Sequence, residues 1–239
     1  MELNYVKTIN MNKISVYFMP GLAASSAIFE RIVLPKDRFD THLLEWDIPL
    51  ENETLSEYAK RICNKIKAEN PVLIGVSFGG ILVQEMAKFV NAKKIIIISS
   101  VKSNKEFPRR MILAKNTKAY KLFPISLVAN IENLAKFSFG IKVNQRLKLY
   151  EKFLSLRDSS YLEWAIKQII HWDRTVVDKN VIHIHGDQDA IFPIKYIKNC
   201  IVVKGGTHIM ILNKYKWLNA HLPEIILDSF CNTTQSSNK

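Results

Sequence analysis

Residues 71–90 read PVLIGVSFGGILVQEMAKFV. An apolar, strand-like run over 71–74 meets Gly75-Val76-Ser77-Phe78-Gly79, and a helix-like apolar run over 81–90 follows. Between those two elements, G-x-S-x-G marks an abrupt strand-to-helix turn. Such a turn strains its central residue, and large side chains two positions to either side would collide. Gly75 and Gly79 remove those collisions. Ser77 is then expected to stand exposed at the carboxyl edge of a sheet as a candidate nucleophile. The amide of Phe78, at the mouth of the new helix, would face negative charge developing beside it. The pentapeptide by itself also occurs in ordinary loops, so its weight comes from its flanking elements.

A serine hydroxyl is a poor nucleophile at neutral pH and needs a base, and the base needs a group that orients it. Val181-Ile182-His183-Ile184-His185 alternates as a short strand, followed by Gly186-Asp187-Gln188-Asp189 and then Phe192-Pro193. Asp189 is the candidate acid. After an apolar run over 200–203 comes Gly205-Gly206-Thr207-His208, which sets His208 in a loop just ahead of a helix-like run. His208 is the candidate base.

The order Ser77, Asp189, His208, each after a different strand, resembles the α/β-hydrolase superfamily. The G-x-x-D-x-x-x-P form at Gly186, Asp189 and Pro193 and the Gly-Thr-His form at Gly206 to His208 are similar to that family's acid and base loops. Met19-Pro20-Gly21-Leu22 stands where family members carry His-Gly or Pro-Gly. By that resemblance the Leu22 amide is the second donor of an oxyanion hole, beside Phe78. The likeness covers residues 14 to 100 and 181 to 222; the middle of the chain is not diagnostic.

The resemblance implies an α/β fold, a doubly wound, mostly parallel sheet with a helical cap insertion. It divides the chain into a core, 1–100 and 173–239, and a cap, 101–172. It also implies a serine hydrolase that transfers an acyl group from a carboxylic ester or thioester to water, with no cofactor and no metal. Serine in place of an aspartate nucleophile disfavours dehalogenase and epoxide hydrolase chemistry, while perhydrolysis, carbon–carbon bond hydrolysis and elimination share the same triad. The competing expectation is a small-ligand-binding protein that kept the fold without the catalysis, since fold alone never establishes activity. The complete set of three residues argues against it.

Strands are expected over 14–19, 41–45, 72–75, 94–99, 181–185 and 200–203, alternating with helices over 26–32, 56–68, 78–90 and 209–221, with Pro223 starting a further run to 230. This alternation argues for a parallel sheet covered on both faces. Between 100 and 172 the strand pattern stops, and the sequence becomes helical in flavour, broken at Phe123-Pro124, Gly140 and Asp158-Ser159-Ser160. A connection that long needs elements of its own, and its expected role is to roof the site and select the substrate. Residues 101–152 hold twelve Lys and Arg against three Glu, most of the chain's net charge of +12. Such a cap favours anionic small-molecule acyl substrates by steering or pairing; the alternative is a solvated helix face. A nucleic-acid module would add a recognisable motif, so no nucleic-acid partner is expected.

The 239 residues, 48% hydrophobic, are enough for one domain with an insertion. Neither a signal-like leader nor an apolar run of about 18 residues is present, so no membrane association is expected and the location read from the sequence is cytoplasmic. Cys63, Cys200 and Cys231 are scattered and unlike a disulfide framework. His183-Ile184-His185-Gly186-Asp187 has the spacing of a metal site but lacks a second ligand cluster, and the acid-loop pattern explains its neighbourhood better. Asp187 competes with Asp189 for the triad, but spacing from Gly186 selects Asp189 and leaves Asp187 to bond loop amides. Glu106 is the nearest carboxylate for an acid placed after the strand ending at Ser99. His171 and His221 have no motif around them.

Overall fold

The computed structural model describes residues 13–117, 153–154 and 156–227. Six strands, β1 (Ile14–Met19), β2 (Phe39–Leu43), β3 (Val72–Val76), β4 (Lys94–Ile98), β5 (Val181–Gly186) and β6 (Ile201–Val203), form one sheet in the order β2-β1-β3-β4-β5-β6. Every neighbouring pair is parallel. The four isoleucines of β4 and all of β3 are buried, which explains why these strands read as continuous apolar runs: helices cover both faces.

Those helices are α1 (Leu55–Cys63), α2 (Phe78–Met86), α3 (Arg109–Thr117), α4 (Ser159–His171), α5 (Met210–Asn213) and α6 (Tyr215–Leu227). Thr54 starts α1 with a capping box: its hydroxyl accepts the Glu57 amide, and the Glu57 carboxylate accepts the Thr54 amide. Every residue of α2 is buried, Gln84 and Glu85 included. Their polar atoms are matched, Gln84 donating to the Gly80 and Val101 carbonyls and Glu85 accepting from the Trp172 indole. Asp158 caps α4 by accepting the Tyr161 amide at 2.9 Å, so the expected break at 158–160 is a helix start.

The chain leaves β1 for β2 on one side, returns to β3 on the other, and continues outward to β6. The loops after β1 and β3 therefore diverge at a switch point, the place where open α/β sheets leave a crevice at their carboxyl edge.

Several expected boundaries move. β2 lies two residues earlier, at Phe39–Leu43, and 26–32 holds only a 3-10 turn, Ser26–Phe29. α1 stops at Cys63, short of 68, and the Lys67 amide just beyond it bonds the Tyr17 hydroxyl at 3.1 Å. α2 ends at Met86 in tighter turns that carry the chain to Val90. The run from 209 divides into α5 and α6, and α6 passes through Pro223, where the sequence predicts a fresh start. Leu222, Pro223, Ile225 and Ile226 are all buried, and that packing outweighs the hydrogen bond a helical proline removes.

Of the expected cap, residues 118–152 and 155 lie outside the described residues, as do 1–12 and 228–239 with Cys231. Cys63 and Cys200 are free thiols. Among the described residues no helix is long and apolar enough to cross a membrane.

Candidate active site

Ser77 sits between β3 and α2 with φ 53° and ψ −118°, a conformation that non-glycine residues adopt at a cost of about 1–3 kcal/mol. Its surroundings hold it there. The Ser77 amide donates to the Ile98 carbonyl at 2.9 Å, and the Ser77 carbonyl accepts the Ser100 hydroxyl at 2.7 Å and the Gly80 amide at 2.9 Å. A Cβ on Gly75 would fall 2.3 Å from the Gly79 carbonyl oxygen, and one on Gly79 would fall 2.3 Å from that of Pro20. Both glycines are required by this close approach of backbone to backbone, as the sequence motif predicts.

Three loops bring Ser77, His208 and Asp189 into line. His208 Nδ1 lies 2.9 Å from Asp189 Oδ2, and His208 Nε2 lies 2.9 Å from Ser77 Oγ. A carboxylate only accepts, so the imidazole proton resides on Nδ1 and points at Asp189. Nε2 is then free to accept the Ser77 hydroxyl proton. Asp189 is buried, and its other oxygen accepts the amides of Ile191 at 2.8 Å and Phe192 at 2.9 Å. Burial alone would raise this carboxyl, but the neighbouring His208, by charge and hydrogen bond, and the Phe192 amide hold it below its ordinary value. It is the ionised partner that a cationic imidazole needs.

The Pro20–Leu22 segment after β1 backs onto Ser77: a Cβ on Gly21 would lie 3.4 Å from Ser77 Cβ. Among the described residues the amides of Leu22 and Phe78, the two donors expected from the sequence, have no hydrogen-bond acceptor. Ser77 and His208 open into a cleft whose other lining side chains, among the described residues, are apolar, with Leu22, Ala24, Ile28, Leu154, Ile211 and Leu212 among them. Its empty space, the open mouth included, is about 430 Å³.

No protein-family model matches the sequence, and a sequence search finds no curated protein that matches it. Solved structures do match. A bromoperoxidase from Bacillus anthracis is 17% identical, with 90% of this chain and 92% of that chain covered at a TM-score of 0.67. A carboxylesterase of Nitrososphaera gargenis is 14% identical, with 90% of each chain covered at a TM-score of 0.67. An alpha/beta hydrolase fold protein from Burkholderia ambifaria is 14% identical, with 89% of this chain and 90% of that one covered at a TM-score of 0.64. The chain has the α/β-hydrolase fold.

Within this α/β-hydrolase frame the rival residues have other partners. Asp187 accepts the Gly205 amide at 2.7 Å, bracing the loop before His208. Glu106 is buried and accepts the amides of Lys102 and Lys198; burial holds its carboxyl above the usual range, and these two bonds only partly oppose that pull. His183 and His185 bond each other at 3.0 Å, and among the described residues no group of three potential metal ligands occurs. Lys102, counted with the basic cap, is buried, with its ammonium on the Lys198 and Asn199 carbonyls, so it adds nothing to a charged surface. Three contributors to the site escaped the sequence reading. Leu154 lines the cleft, and Trp46 donates to the Gly21 carbonyl at 2.9 Å. His185 Nε2 lies 3.6 Å from Asp189 and donates to the Phe192 carbonyl at 2.8 Å. Leu154 and Trp46 stand in no recognisable motif, and the H-x-H spacing that contains His185 points to metal binding and not to the acid loop.

Proposed function

We propose that the protein is a serine hydrolase that cleaves carboxylic esters or thioesters of small, mainly apolar acyl groups. The observation that carries this reading is the unbroken line from Ser77 Oγ through the His208 ring to the buried Asp189, opening into a cleft that is apolar among the described residues, beside two amides that have no acceptor among them. In the first half-reaction Ser77 Oγ attacks the substrate carbonyl carbon and its proton passes to His208 Nε2. The amides of Leu22 and Phe78 receive the charge that develops on the carbonyl oxygen, and Asp189 stabilises the imidazolium. The tetrahedral intermediate collapses, breaking the bond to the alcohol or thiol, which leaves with the proton from Nε2. Water then attacks the acyl-enzyme with His208 again as base, releasing the acid and restoring the serine. No cofactor enters these steps.

The apolar lining supports selection by shape over pairing with a charged acyl group. A preference for anionic substrates rests instead on the basic residues that the sequence holds over 101–152. The experiment is a panel of acyl esters beside acyl thioesters, short and long, with Ser77→Ala as control. The proposal expects turnover of short to medium acyl chains that the control abolishes. Turnover unchanged in Ser77→Ala contradicts it, as does binding of the panel with no hydrolysis, and the second outcome favours a non-catalytic binder.

A further inference from the structure

The loop after β1 must hold the Leu22 amide still, because a donor displaced by a fraction of an ångström loses much of its value to a transition state. This loop contains Ala23 in a left-handed conformation, φ 60°, and lies outside the strand ladder. Two aromatic side chains from distant parts of the chain grip it on either side of Leu22. The Trp46 indole donates to the carbonyl of Gly21 at 2.9 Å, and the Tyr161 hydroxyl accepts the amide of Ala23 at 3.3 Å. The same Trp46 ring lies flat on the ring of Phe78, with centroids 4.7 Å apart and planes 9° from parallel. Tyr161 packs on Trp46 at 5.6 Å, and Tyr58 and Trp164 close the cluster behind them. All five aromatic residues are buried. One buried aromatic cluster therefore bonds the residues on either side of Leu22 and stacks on Phe78, the two residues whose amides have no acceptor among the described residues.

We infer that Trp46 and Tyr161 are positioning residues that set the two oxyanion donors, acting through the Gly21–Ala23 backbone and the Phe78 ring. The inference rests on the hydrolase reading above. Neither side chain lines the cleft among the described residues, so their effect belongs to the transition state and not to ground-state binding.

Trp46→Phe keeps a ring against Phe78 and removes the donor to Gly21; Tyr161→Phe removes one oxygen. In each, kcat for ester hydrolysis should fall about ten-fold or more, with KM changed by less than about two-fold. Affinity for an alkyl boronic acid, which adds to the serine oxygen as a tetrahedral adduct, should fall by the same factor as kcat/KM. The pH dependence of kcat should not move, because the His208–Asp189 pair is untouched. Folded variants with parental kcat and parental boronic acid affinity overturn the inference, as does a loss carried by KM alone. Cooperative urea unfolding checks each variant. If Trp46→Phe fails that check, Tyr161→Phe decides, and failure of both makes the residues core packing and overturns the inference. An active parent with unaffected variants sinks this inference only, whereas a parent that hydrolyses no acyl ester sinks the hydrolase reading with it.

Discussion

Asp187 and Asp189 stand two residues apart beyond β5, and their surroundings assign them different tasks. Asp189 is buried, faces His208 and accepts two amides, whereas Asp187 is exposed and braces Gly205. Asp189→Asn should keep the fold but lower kcat/KM by about three to four orders of magnitude, because the imidazole is then held in the wrong tautomer. Asp187→Asn should cost far less. Steady-state kinetics on the two variants checks this, and a larger loss at Asp187 would place the acid two residues earlier. Since only neutral imidazole accepts the Ser77 proton, the rate should also fall on acidification. The spacing from Gly186 singles out in the sequence the aspartate that lies beside His208 in the structure. Trp46 and Tyr161 were not legible, because the bond of Trp46 goes to a carbonyl 25 residues away and that of Tyr161 to an amide 138 residues away; local pattern carries no trace of such pairings.

At the scale of an element, β5 holds the point of greatest chemical tension outside the site. His183 and His185 share one face of the strand and are both buried. The Phe192 carbonyl can only accept, so His185 carries its proton on Nε2, and its Nδ1 accepts from His183 Nε2. Among the described residues His183 Nδ1 then has no partner. Burial, reinforced by the charge His185 would carry, pulls His183 well below the usual histidine value; burial likewise lowers His185 against the opposing pull of Asp189. A histidine whose folded value is depressed binds protons more readily when unfolded. Its contribution to stability is therefore full above about pH 6.5 and declines as pH falls below that, by about 1.4 kcal/mol per pH unit for each proton taken up on unfolding. Urea unfolding between pH 7.5 and 5.5 should show a steeper loss in the parent than in His183→Gln, by about one proton. Equal slopes would mean that His183 is already charged in the folded chain. The H-x-H spacing that suggests a metal site on paper is here a pair bonded to itself. Strands β3 and β4 were legible because strands buried on both faces read as near-continuous apolar runs, whereas the passage of α6 through Pro223 depends on tertiary packing that local propensity cannot register.

At the scale of the molecule, the winding order of the sheet is what assembles the candidate site. Ser77 follows β3, Leu22 follows β1, Asp189 follows β5 and His208 follows β6, and the parallel sheet directs all four loops to one edge. The charge distribution adds a separate test. Arg109 and Arg110 on α3 are exposed, and Arg110 donates to the Ala190 and Ile191 carbonyls next to Asp189. If this charge and that of the cap steer substrate, kcat/KM for an ester with a distal carboxylate should exceed that of its uncharged isostere, and salt should erase the difference by screening over about 8 Å. Changing Arg109 and Arg110 to Gln should shrink it. An identical salt response for the two esters would make the basic surface a solvated one and leave selection to the apolar cleft.

The central claim is that Ser77 is the nucleophile, activated by His208 and Asp189 where the sheet's loops converge. Its most direct test is the intact mass and peptide map of the protein after reaction with a fluorophosphonate. The account predicts one adduct per chain, on Ser77, absent in a folded Ser77→Ala and strongly slowed in a folded His208→Ala. An adduct on another residue, or undiminished labelling of Ser77→Ala, would contradict it.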